Sequence, residues 1–168
     1  MMDDPIAFKA YFALFEEAQM YQNQDQFEKA ADIHRKIFQK YVPAGIAYYE
    51  WAASCFLILG QYNDAERIYN IALSNPHAFN ETTWRYISSK FPVAIKQVEV
   101  YKIAYREVFS TIESTPGVLQ KELKNLLQDI PADVIELMIQ WMLRKKAIRK
   151  SKQGRFVTLY PNDRPDIV

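Results

Sequence analysis

The chain has 168 residues, 49% apolar and 24% charged, a composition that buries a core and excludes a disordered or fibrous polymer. A formal net charge of +1 excludes a uniformly basic or acidic surface, and four glycines exclude long glycine-rich loops. The single cysteine, Cys55, excludes an internal disulfide, and the longest apolar run, AASCFLILG, is too short to cross a membrane.

The N-terminal segment MMDDPIAF has neither the basic region nor the apolar run of a signal peptide, which predicts a cytoplasmic protein with no membrane partner. Helix hairpins follow. A 35-residue internal repeat relates Ala18 to Ala53, Tyr21 to Phe56, Phe27 to Tyr62 and Ala30 to Ala65. In the second copy Gly60 ends one helix, and Tyr62, Ala65, Tyr69 and Ala72 precede Pro76. The alanines let two helices approach closely, and the tyrosines fill the space beside them.

These residues resemble the tetratricopeptide repeat family, most clearly from Ile46 to about His77. In the first copy Asp25 replaces Gly60, and His34 and Ile37 replace Tyr69 and Ala72. A third, degenerate pair is predicted, with one helix opened by Asn80 and Glu81 and running through Lys90. Pro92 opens its second helix, from Val93 to about Ser110. The resemblance covers about 110 residues and implies a concave groove holding a protein partner or peptide. Its groove positions fall on Phe12, Phe15, Gln19, Gln22 and Asn23, then on Ala47, Glu50, Ser54, Leu57 and Ile58. Phe15 and Glu50 stand where the carboxylate-clamping variant of that groove has cations, so chaperone C-termini are not the expected ligand. Phe12, Phe15 and Leu57 also read as packing residues between helices.

The character changes at Thr115-Pro116-Gly117. A helix is predicted over Leu119–Gln128, with Leu119, Leu123, Leu126 and Leu127 on one face. A turn at Asp129-Ile130-Pro131 leads to a helix over Pro131–Lys146, with Asp133 and Glu136 early and Arg144, Lys145 and Lys146 late, as the helix dipole favours. Two short strands follow, one at Ile148 and one over Arg155–Tyr160, with Gly154 supplying the turn. The charge is uneven: residues 1–115 hold 11 basic and 14 acidic side chains, and residues 116–168 hold 10 and 6.

This order of elements resembles a winged helix-turn-helix over roughly residues 105–160. The resemblance implies duplex DNA as a partner, with the second helix at the bases and the wing on phosphate. The nucleic-acid-binding residues would be Gln140 near the bases and Arg149, Lys150, Lys152 and Arg155 on the backbone. Asp133 and Glu136 would repel the polyanion, and the basic run reads equally as a solvated surface. Helical repeats ending in a winged helix also resemble PCI-type scaffolds, in which the wing assembles subunits and binds no DNA. The second helix is more apolar than a single buried stripe requires, so a second covering surface is expected, from the repeats or from another copy in a homodimer.

The predicted fold is mostly α, with stacked antiparallel helix hairpins and a C-terminal winged helix carrying a small β-hairpin. Its domains are 1–110 and 105–160, followed by an extended tail at 161–168 that could dock in the groove. His34 and His77 lack partners at metal-ligand spacing, and no glycine-rich phosphate loop or nucleophile setting is present. No catalytic residue, metal or cofactor is expected. Trp51, Trp84 and Trp141 read as core or interface residues.

Overall fold

A computed structural model of the protein describes residues 5–162. The elements are α1 (Pro5–Asn23), α2 (Phe27–Lys40), α3 (Ile46–Leu59), α4 (Tyr62–Leu73), a 3-10 turn (Pro76–Ala78) and α5 (Glu81–Ser114). They continue as β1 (Val118–Leu119), α6 (Gln120–Leu126), α7 (Ala132–Arg144), β2 (Ile148–Gln153) and β3 (Phe156–Pro161). The fold is mostly α, as the sequence predicts. The chain divides into two compact units, residues 1–99 and 100–168, and the division falls within α5. Beyond Asn162 the predicted tail lies outside the described residues.

In the first unit α1 packs on α2, α2 on α3 and α3 on α4. The four repeat alanines, Ala18, Ala30, Ala53 and Ala65, are completely buried, which is what close helix approach requires. The 35-residue period extends to the backbone hydrogen bonds. After α1 the Asp25 amide donates to the Gln22 carbonyl and the Gln26 amide to Tyr21; after α3 Gly60 donates to Leu57 and Gln61 to Phe56. Both are helix ends closed by one left-handed residue. Gly60 has φ 75° and Asp25, its counterpart, has φ 56°. Asp25 thus adopts the glycine conformation at a steric cost that glycine avoids.

The third pair differs from expectation. There is no helix break at Pro92: α5 is continuous over 34 residues with the proline inside it. Proline deprives the Ser88 carbonyl of its intrahelical donor. Both residues are exposed, on the solvent side of the helix, while Ile87, Phe91 and Val98 hold the opposite face in the core.

The second unit runs helix, strand, helix, helix, strand, strand. Its sheet has the order β1-β3-β2 and is antiparallel throughout. One buried cluster joins Ala104, Val108 and Ile112 of α5, Leu123 of α6, and Val134, Ile135, Met138, Ile139 and Met142 of α7. Val118, Ile148 and Leu159 complete it from the sheet. Leu137, Trp141 and Leu143 pack on its margin, with Trp141 edge-on to Tyr101 at 5.2 Å between ring centres. Much of the apolar surface of α7 packs inside its own unit, while Leu137, Trp141 and Leu143 stay partly exposed.

Two boundaries move. Leu119 is not the start of a helix but half of β1, where it pairs with Thr158, and Leu126 points to solvent rather than joining Leu123. Two residues are too few for strand periodicity to register in sequence. Pro131 occupies the position before α7 rather than its first turn.

Candidate nucleic-acid interface

The hairpin β2–β3 turns through Gly154 and Arg155, with Gln153 opposite Phe156 and Gly154 at φ 60°. Nothing lies within 4 Å of where a Gly154 side chain would begin, so the turn tip is open. Strand alternation separates the predicted phosphate contacts. Arg149 lies opposite Tyr160, and its guanidinium sits 4.5 Å from that ring's centre. Lys150 and Lys152 lie opposite Leu159 and Val157, on the other face of the hairpin. All three are exposed. The lysines share the face whose Ile148 and Leu159 enter the core, and both are nonetheless exposed.

Arg155 leaves the turn towards α6. A cleft of about 270 Å³ opens there, lined by Leu119, Ile135, Ile139, Phe156 and Val157 and rimmed by Lys121, Lys124, Arg155 and Glu136. The Lys121 ammonium lies 4.8 Å from the centre of the Phe156 ring, and the Arg155 guanidinium lies 5.4 Å from it. Lys121, Lys124 and Phe156 were not singled out in the sequence. The signal was present in their spacing, because Lys121 and Lys124 are one helical turn apart and share a side of α6.

The exposed stripe of α7 runs Asp133, Glu136, Gln140, Arg144. Gln140 is free to reach a ligand, between a carboxylate one turn earlier and a guanidinium one turn later. At the C-terminal end of the helix Lys146 has φ 60° and closes it in the left-handed conformation. The Lys145 ammonium lies 4.3 Å from the centre of the Tyr105 ring, whose hydroxyl burial pushes up to about 12.

The predicted groove residues fall into two groups. Phe15, Gln22, Leu57 and Ile58 are buried and hold helices together. Phe12, Asn23, Ala47, Glu50 and Ser54 are exposed, and Gln19 is half-buried. Phe12 stacks on the equally exposed Phe8 at 5.5 Å. Glu50 accepts a 2.8 Å hydrogen bond from the Tyr86 hydroxyl, which raises the tyrosine's pKa. Trp51, Trp84 and Trp141 are each partly buried.

Among the described residues no cluster of His, Cys, Asp and Glu has the make-up of a metal site, and no helix is long and apolar enough to cross a membrane. Burial, with Glu28 nearby, pushes the Cys55 thiol up to about 12, and its Sγ donates to the Phe27 carbonyl at 3.3 Å. Such a thiol stays protonated and unreactive at neutral pH. Compared with known proteins, the chain matches no family, no curated relative and no solved structure.

Proposed function

We propose that the protein is a non-enzymatic adaptor whose C-terminal unit binds duplex DNA, chiefly by its phosphate backbone, and whose helical hairpins hold a protein partner or a second copy. The single observation that carries this reading is the gathering of cations around the hairpin: Arg149, Lys150 and Lys152 on its strands, and Arg155 with Lys121 and Lys124 where its turn meets α6. Such a set neutralises phosphates from both sides of a wing. Gln140 is the residue of α7 suited to a base edge. The carboxylates of Asp133 and Glu136 on the same stripe weaken major-groove approach, so affinity comes mainly from backbone contacts and sequence preference is modest. The exposed Phe8–Phe12 stack on α1, and Asn23, Glu50 and Ser54, supply a surface for a protein partner. A transcription-regulator-like role and a cytoplasmic setting belong to this reading.

A second reading follows from Asp133 and Glu136 themselves. An acidic α7 face suits a winged helix that assembles subunits, in the manner of PCI-type scaffolds, and binds no DNA.

Fluorescence anisotropy of labelled random-sequence duplex DNA, titrated at two salt concentrations, separates the two. Binding that weakens steeply with salt and is lost in the Lys150→Glu, Lys152→Glu double variant supports the DNA reading. No binding at low salt overturns it.

A further inference from the structure

The cleft between α6, α7 and the hairpin turn has a chemistry of its own. Its floor is apolar, made of Leu119, Ile135, Ile139 and Val157, and the exposed ring of Phe156 forms one wall. Three cations stand on its rim, and among the described residues no carboxylate lies within ion-pair distance of Lys121, Lys124 or Arg155. Glu136 is the one anionic residue of the lining. Three cations facing one carboxylate repel each other and leave an excess positive field over an apolar surface. A dry cavity of about 150 Å³ holds one benzene ring, so 270 Å³ has room for two fused rings. Apolar lining with a few convergent polar groups is the usual make-up of a small-molecule site.

We infer that this cleft binds a small amphipathic organic anion, with a flat apolar body against Leu119, Val157 and Phe156 and an acidic group between Lys121, Lys124 and Arg155. The body displaces water from the floor, and the acidic group relieves the repulsion on the rim. Glu136 opposes the bound charge and so limits the site to ligands of low net charge. The site stands whether or not the hairpin binds DNA, because it needs only the cleft and its rim.

The test is titration of the isotope-labelled full-length chain with 2-naphthoate, followed by two-dimensional amide NMR. The expected result is saturable, one-site binding with shifts confined to residues 119–124, 135–139 and 155–157. The neutral isostere 2-naphthalenemethanol is expected to bind at least tenfold more weakly. The exposed-residue variants Lys121→Ala and Arg155→Ala each weaken naphthoate binding about threefold, the scale of a solvent-screened charge pair, and Glu136→Gln strengthens it by a similar factor. Equal binding of the neutral isostere, or a Glu136→Gln variant that binds naphthoate no better, overturns the anion class. Shifts spread over residues 5–99 overturn the location. Thymidine 5′-monophosphate is the second arm. If it occupies the cleft as tightly as naphthoate, the anion is a piece of nucleic acid, and the free organic ligand is overturned.

Discussion

His34 on α2 donates a hydrogen bond from Nε2 to Oε1 of Gln22 on α1, at 3.0 Å. The direction follows from the other end of the amide, because Gln22 Nε2 donates to the Trp51 carbonyl at 3.1 Å and leaves Oε1 as acceptor. One side-chain amide therefore ties α1 to both α2 and α3. His34 Nδ1 is left as a buried acceptor with no hydrogen-bond partner among the described residues. Phe15 and Phe56 stand beside the ring. Burial lowers the His34 pKa to about 4.

A pH dependence of stability follows. The unfolded chain protonates His34 near 6.5, while the folded chain resists protonation down to about 4. Above 6.5 neither state carries the proton and stability is complete. Between 6.5 and about 4 the unfolded state binds more protons, so stability falls as pH falls, by on the order of 3 kcal/mol over the whole window. Urea midpoints at pH 7.5 and 4.5 test this. The wild type should lose more stability than His34→Gln, which keeps a donor near the Nε2 position and cannot titrate. Equal losses in both proteins would refute the assignment.

Asp25 and Gly60 occupy equivalent helix ends in the left-handed conformation, and only one of them is glycine. Asp25→Gly removes the clash between Cβ and backbone and should stabilise the chain by up to about 1 kcal/mol. Gly60→Asp should cost a similar amount. Thermal melts of both variants settle the sign, and a destabilised Asp25→Gly would mean that the aspartate side chain contributes more than its backbone strain costs.

Pro92 sits on the exposed side of a continuous helix. Pro92→Ala restores the amide that Ser88 lacks and should raise stability by about 1–3 kcal/mol. Denaturant unfolding with an unchanged slope and a higher midpoint is the expected record. A lower midpoint would show that the helix is shaped around the proline ring.

On the proposed DNA reading, charge reversal on the two faces of the hairpin should have separable effects on binding. Arg149→Glu alters the Tyr160 face and Lys150→Glu the Leu159 face. A duplex straddling the wing loses affinity in both variants, with the salt-dependence slope reduced by about 1 for each phosphate contact removed. If only one variant responds, the duplex lies on that face alone.

The repeat was legible because it is written twice, in alanines that allow close packing and in residues that close each helix 35 positions apart. The break near Pro116 and the hairpin at Gly154 were legible from turn chemistry. The continuity of α5 was not, because proline's local preference was overridden by Ile87, Phe91 and Val98, which bury one face on both sides of it. β1 was hidden by its length. The cleft was hidden for a different reason. Its cations come from α6 and from the β2–β3 turn, about 30 residues apart, and only the pairing of β1 with β3 brings them together. Gln22 likewise read as a groove residue, since nothing local reveals that His34 and Trp51 flank it.

Among the described residues the sheet order β1-β3-β2 leaves β2 paired on one side only, and an edge of that kind offers a row of amides and carbonyls to an extended chain. Lys150 and Lys152 stand exposed on that strand. Two molecules aligning these strands antiparallel would bring four ammonium groups together, a like-charge arrangement that disfavours pairing along this edge. Whatever else these lysines touch, their charge opposes edge-to-edge pairing of two such sheets. Acetylating them, or screening them with concentrated salt, weakens that repulsion.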